Sequence, residues 1–213
     1  MKKAALFDLD GVIVDTEGIY TEFWAAIGQE YGLAPTFAYD IKGTTLTDIL
    51  ENHFVGDDVR SEVTRKIHDF EDTMKYVVFD GVVDFITSLR HAGYKTAIVT
   101  SSDDTKMDYL KRQQSDLLNM FDVIITGSMV QKSKPDPEGY LLAAKKVGEE
   151  ITNCYVFEDS IQGVEAGKRS GATVIGVATT NPAEKLMPFA NEIINDFKSD
   201  KIYEIIGLEP SLS

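Results

Sequence analysis

The sequence predicts a doubly wound α/β fold: a parallel sheet with helices on both faces, and a second, all-helical unit inserted near its start. Three observations predict it. Short apolar runs alternate with helical periods along most of the chain. Those runs are apolar throughout rather than at every second residue. The stretch 16–80 interrupts the alternation with helix-period stripes alone. A strand covered on both faces needs apolar side chains on both, and repeated βαβ units then give a parallel sheet.

The strand candidates, in order, are 3–8 (KAALFD), 95–100 (KTAIVT), 122–126 (DVIIT), 154–158 (CYVFE), 173–177 (TVIGV) and the weaker 192–195 (EIIN). Between them, Val82, Val83, Phe85, Ile86 and Leu89 mark one helical face, and Tyr140, Leu141, Ala144 and Val147 another. Asp136 reads as the N-cap of the latter helix, with Pro137 at its first position. Gly93 and Gly171 read as helix stops before strands. Within 16–80 there are three stripes: Ile19, Tyr20, Phe23, Trp24, Ile27 and Tyr31; Leu46, Ile49, Leu50 and Phe54; and Val59, Val63, Ile67, Phe70 and Met74. The expected organisation is a core of 1–15 and 81–213 with a helical cap of 16–80. A lid over strand ends would enclose a site. Residues 207–213 read as a loose tail.

Bulk properties narrow the function classes. The chain has 213 residues, 43% hydrophobic and 26% charged, with a net charge of −14. It shows no Lys/Arg cluster, so nucleic acid is not an expected partner. Cys154, the single cysteine, lies in an apolar run and reads as a buried structural thiol. The N-terminus lacks the long apolar stretch of a signal peptide, and no run approaches the ~18 apolar residues of a membrane span. A cytoplasmic monomer acting on a small molecule is expected.

Ligands of open α/β sheets bind outside the carboxyl ends of the strands. Strand one ends in Asp8, with Asp10 two residues on. Strand two ends in Thr100-Ser101-Ser102, the loop after strand three reaches Lys134-Pro135-Asp136, and strand four ends in Glu158-Asp159. Each alone has an ordinary reading. Thr100 could be a loop cap, Lys134 a solvated lysine, and Glu158-Asp159 the cap of the helix beginning at Ser160. Together they place several carboxylates in one crevice, where they repel one another unless a cation is present. Oxygen-only ligands favour a hard ion, and Mg²⁺ fits. One carboxylate can then be a nucleophile toward phosphorus. Asp10 could serve as general acid and then base. Thr100 and the amides after it can hold phosphoryl oxygens, and Lys134 can neutralise charge.

Four segments in this order, "DLDGVIVDTE", "AIVTSS", "SKPDPEGY" and "VFEDSIQGVEAG", resemble the motifs of the haloacid dehalogenase-like superfamily of phosphohydrolases across nearly the whole chain. The helical insertion is similar to the small cap of its β-phosphoglucomutase and phosphoglycolate phosphatase branch. The resemblance implies Asp8 as nucleophile and metal ligand, and Asp10 as acid/base offering its backbone carbonyl to Mg²⁺. It implies Thr100, Ser101 and Lys134 as the phosphate site, and Asp159 with Glu158 as completing the metal site. Thr16 and Lys42 match polar positions of the mutase cap and hinge. Receiver domains share a phosphoaspartate chemistry, but the motif order here is wrong for one.

Two positions depart from the mutases. Tyr20 stands where they carry a histidine, and Leu46 where they carry an arginine that grips a second phosphate. Bidentate guanidinium suits phosphate, so its loss favours a phosphatase for a small phosphomonoester of the sugar phosphate or phosphoglycolate type, with the mutase as the alternative. Asp80 replaces a proline usual after the cap, with altered hinge stiffness at most expected. Asp15-Thr16-Glu17 reads as a hinge outside the acidic cluster. His53, His68 and His91 read as surface or packing residues away from the motifs.

Overall fold

The computed structural model describes residues 3–208. Six parallel strands form one sheet in the order β3-β2-β1-β4-β5-β6: β1 Ala4–Phe7, β2 Lys95–Val99, β3 Val123–Ile125, β4 Cys154–Glu158, β5 Thr173–Val177 and β6 Glu192–Ile194. Each matches a run read from the sequence. The central strand β1 is wholly buried and in register with both neighbours, Phe7 lying opposite Ile98 of β2 and Phe157 of β4. Alternate side chains go to opposite faces. Ala5 and Phe7 join one apolar cluster, and Ala4 and Leu6 another across the sheet. Phe7 stacks on Phe157 at 4.5 Å between ring centroids and meets Phe85 edge-on at 6.2 Å. A buried phenylalanine contributes roughly 1.5–3 kcal/mol; this packing holds the strand ends still while they carry charge. Cys154 is buried within β4.

After β1 the insertion supplies four helices: α1 Glu17–Glu30, α2 Phe37–Asp40, α3 Leu46–His53 and α4 Asp57–Thr73. They surround an apolar centre of their own that includes Trp24, Ile27, Phe37, Ile49, Val63 and Ile67. The chain leaves and re-enters the sheet region through two paired segments. Val14 bridges Val78 antiparallel, the Asp15 amide donates to Val77 (2.8 Å), and the Phe79 amide donates to Ile13 (3.0 Å). Asp80, in place of proline, pairs with Lys198 at 3.6 Å. The remaining helices are α5 Val82–His91, α6 Asp104–Leu118, α7 Glu138–Val147, α8 Ile161–Ser170, α9 Ala183–Leu186 and α10 Asp200–Ile206.

Several local expectations shift. Helix α7 starts one residue later than read. Pro137 occupies its N-cap, and Asp136 supports it by accepting from the Glu138 amide at 3.1 Å. Ile19 is exposed, whereas Met74 packs with the sheet core rather than the insertion, because α4 ends at Thr73. The four-residue α2 is too short to show a period. In the expected tail, Gly207 ends α10 in a left-handed turn and Leu208 packs against the core; positions 209–213 lie outside the described residues. Among the described residues, no helix is long and apolar enough to cross a membrane.

Candidate active site

The carboxyl ends of β1, β2 and β4, the loop before α7 and the helical insertion line one pocket, which includes Asp8, Asp10, Thr100, Lys134 and Asp159. Asp8 ends β1. Its Oδ1 accepts from Lys134 Nζ at 2.5 Å, and Lys134 also donates to the Val99 carbonyl at 3.2 Å. Glu158 Oε1 lies 2.6 Å from the same ammonium and accepts from Tyr140 Oη at 2.6 Å. Its Oε2 accepts from Ser160 Oγ at 3.1 Å, while Ser160 caps α8 by accepting from the Gly163 amide at 3.0 Å. Gly163 is required by packing: a Cβ there would sit 2.0 Å from the Glu158 carboxylate. Glu158 is thus fully buried and occupied, and it anchors Lys134.

Negative charge is in excess here. Asp8, Glu158 and Asp159 bring carboxylate oxygens within 4.8 Å of one another. Burial pushes Asp8 up from 3.8 to about 8; Lys134 pulls it back and Glu158 pushes it further up. Burial likewise pushes Asp159 well above the carboxylate range, with Glu17 and Asp8 adding to it. For Lys134, burial opposes the charge, but Asp8 and Glu158 more than offset that and hold the ammonium above its ordinary value. Asp159 Oδ2 is buried with no hydrogen-bond partner among the described residues. An orphaned carboxylate oxygen in an all-oxygen cluster is what a hard cation satisfies, so the donor set fits such an ion. The backbone makes room for the Asp159 carboxylate at Gly11. With φ +80°, a Cβ there would lie 2.0 Å from Asp159 Oδ2.

Asp10 lives in different surroundings. It accepts from Thr16 Oγ1, from Ser102 Oγ at 3.2 Å and from Lys106 Nζ at 2.5 Å. Its side chain is therefore outside the carboxylate cluster. Thr100 is buried at the end of β2, accepting from the Ser102 amide at 3.0 Å and donating to Ser102 Oγ at 2.9 Å. The Ser101 hydroxyl is taken by the Gly43 carbonyl of the insertion at 2.7 Å. What Ser101 can offer a phosphate is its backbone amide, not its side chain.

Asp15-Thr16-Glu17, read as a hinge outside the acidic cluster, is not part of the group formed by Asp8, Glu158 and Asp159, yet it reaches the site: Thr16 donates to Asp10, and Glu17 lines the pocket while pairing with Lys42. The structure corrects one expectation. His68 is not remote from the motifs, since its Nε2 lies 3.1 Å from Asp103 Oδ2 just after the Thr100-Ser101-Ser102 loop. Lys106 and Glu71 line the pocket and escaped the sequence reading. Only one signal pointed to Lys106: it lies in the first turn of α6, three residues after the capping Asp103.

The protein is thus an α/β fold whose strand ends gather acidic groups around a buried lysine, beside a helical insertion. Comparison with known proteins places it: the sequence model described as haloacid dehalogenase-like hydrolase matches residues 5–177, and the chain belongs to that family. It is 31% identical over 196 residues to validoxylamine A 7'-phosphate phosphatase of Streptomyces hygroscopicus subsp. limoneus, covering 87% of this chain and 90% of that one. It is 32% identical over 198 residues to hexitol phosphatase A of Escherichia coli (strain K12), covering 90% and 88%. The fold is shared with the crystal structure of β-phosphoglucomutase from Clostridium difficile, at TM-score 0.78, 22% identity and 96% coverage of each chain.

Proposed function

We propose that this enzyme is a Mg²⁺-dependent phosphatase that hydrolyses a small phosphomonoester of the sugar phosphate type through an aspartyl-phosphate on Asp8. One observation carries the reading. Two carboxylates two residues apart sit in opposed environments, Asp8 against Lys134 and the acidic cluster, Asp10 among Thr16, Ser102 and Lys106. Pairs of carboxyls held in different surroundings divide nucleophile from acid/base. The names of relatives more than 30% identical over most of the chain, a validoxylamine A 7'-phosphate phosphatase and a hexitol phosphatase, support the substrate class.

The steps follow from the side chains. Asp8 attacks phosphorus, and the bond to the ester oxygen breaks with its electron pair on that oxygen. Asp10 supplies the proton the leaving alcohol needs. Asp10 then takes a proton from water, which attacks the phosphoryl group and releases Asp8. Thr100 Oγ1, the amide of Ser101 and Lys134 Nζ hold the phosphoryl oxygens and stabilise charge. Asp8, Asp159 and the backbone carbonyl of Asp10 would hold Mg²⁺, with Glu158 behind them. A bound Mg²⁺ neutralises the acidic cluster and polarises the phosphoryl group. Residues 16–80 act as the cap that covers the reaction, with Thr16 coupling it to Asp10 and Lys42 lining its inner wall. A monomer working in the cytoplasm, with neither nucleic acid nor membrane as partner, suits the acidic composition.

The mutase reading weakens because Leu46 stands in the pocket wall and Lys42 is already paired with Glu17. Following β-glucose 1-phosphate by NMR with a trace of its bisphosphate separates the two. Free phosphate and glucose are expected; glucose 6-phosphate accumulating without free phosphate would overturn the phosphatase reading.

A further inference from the structure

The pocket is built for hydroxyls beside the phosphate rather than for a second anion. Three lysines line it, and each already has a carboxylate: Lys42 has Glu17, Lys106 has Asp10, and Lys134 has Asp8 and Glu158. Among the described residues no other cationic side chain lines the pocket, and its carboxylates outnumber its ammonium groups. Beside Tyr20 and Lys106 stands Glu71, near the end of α4. It is only 5% exposed, yet it borders the pocket. Its Oε1 accepts from Tyr20 Oη at 2.8 Å, whereas its Oε2 is buried with no hydrogen-bond partner among the described residues. Lys106 reaches past it to Asp10 and lies 4.3 Å from the centre of the Tyr20 ring, so its ammonium is spent on those groups. Trp24, Ile49 and Ile67 supply apolar wall beside it.

A buried carboxylate oxygen left unpaired costs free energy, and a hydroxyl donor recovers it. A phosphate or carboxylate at the same place would face Glu71 with like charge and no free cation. We propose that Glu71 selects the leaving group: its Oε2 accepts a hydrogen bond from a hydroxyl of an uncharged polyhydroxy alcohol, and its charge rejects substrates with a second anionic group. This rests on the phosphatase reading and narrows it. Polyol and sugar monophosphates become the substrates, and phosphoglycolate-like and bisphosphorylated compounds are turned away.

Binding tests the selection apart from the chemistry. In an Asp8→Asn background that cannot form the aspartyl-phosphate, calorimetry with Mg²⁺ at pH 8.5, above the value of about 7 to which burial pushes Glu71, gives dissociation constants for sorbitol 6-phosphate, ethyl phosphate, glucose 6-phosphate and glucose 1,6-bisphosphate. Adding Glu71→Met is expected to cut the preference for sorbitol 6-phosphate over ethyl phosphate by about tenfold or more, the worth of a hydrogen bond to a charged group. Adding the isosteric Glu71→Gln, which keeps the shape of the wall, is expected to raise the relative affinity for the bisphosphate over glucose 6-phosphate severalfold. Both ratios unchanged in folded variants, or no binding of any polyol phosphate, would overturn the proposal. Glu71 also lies near His68 and Asp103 in a group that could share a cation. If Glu71→Gln altered Mn²⁺ or Zn²⁺ affinity of the substrate-free protein while leaving the ratios alone, the proposal would likewise fall. The phosphatase reading fails separately, through absence of phosphate release from every monophosphate by the wild-type enzyme.

Discussion

Lys106 Nζ lies 2.5 Å from Asp10 Oδ2, with only 5% of the lysine side chain and 14% of the aspartate side chain exposed. The pair joins α6 to the loop after β1, and the same ammonium lies over the ring of Tyr20 from the helical insertion. Asp10 is thus gripped from the core by Ser102 and Lys106 and from the insertion by Thr16. In the proposed mechanism, the acid/base group is therefore held from both units.

Lys106→Met tests that grip. Misplacing a reacting group by about 1 Å can cost on the order of 10² in rate. A fall in kcat of roughly that size is expected, with inorganic phosphate binding to the variant little changed. Near-normal kcat, or a loss confined to KM, would mean the ion pair only packs the interface.

Asp10→Asn removes the proposed proton donor while keeping its shape. Turnover of a sugar monophosphate should fall by roughly 10²–10⁴, the usual range for acid–base catalysis. Mg²⁺ affinity measured by calorimetry should stay largely intact, because the Asp10 side chain is outside the carboxylate cluster. Full activity in this variant would take Asp10 out of the chemistry.

Gly11→Ala tests the cation site from the backbone side. A methyl group 2.0 Å from Asp159 Oδ2, at φ +80°, must push the carboxylate away and strain the turn. Mg²⁺ affinity is expected to drop about tenfold or more, the scale of a disturbed ligand shell, with a lower melting temperature. Unaltered Mg²⁺ binding by calorimetry would place the ion elsewhere.

The acidic cluster also fixes how stability depends on pH. Asp8 is held at about 8 in the fold against 3.8 as its ordinary value, with burial the chief cause. The native state keeps a proton that the unfolded chain has released. That contribution is fully present below about 3.8 and is lost as pH rises through about 8. Glu71, pushed by burial to about 7, acts in the same direction. In EDTA, urea midpoints should therefore fall between pH 5.5 and 8, less so in Asp8→Asn, and Mg²⁺ should remove much of the fall. A metal-free protein that gains stability over this window would contradict the described cluster.

How much of this was legible in the sequence follows from the range of the interactions. The strands announce themselves because a doubly covered strand is apolar at every position, as 154–158 shows. A parallel sheet sends all its carboxyl ends to one edge, so Asp8, Thr100, Lys134, Glu158 and Asp159 could be expected to converge before any coordinates. The links between the two units, and between distant parts of the core, could not. Lys106–Asp10, His68–Asp103 and Ser101–Gly43 depend on how the helical insertion docks or how α6 turns over the sheet, and no local period encodes either. Glu71 was hidden for the same reason. On α4 it reads as one more charge in a charged helix, and only docking buries it.

The most direct test of the account is phosphate release from p-nitrophenyl phosphate and from a hexitol monophosphate, with Mg²⁺, by the wild-type enzyme and Asp8→Asn. The account predicts release that EDTA silences and Mg²⁺ restores, and that Asp8→Asn lowers by on the order of 10³ or more, as expected when a covalent nucleophile is lost. Release unchanged in Asp8→Asn, or undiminished after chelation, would contradict it.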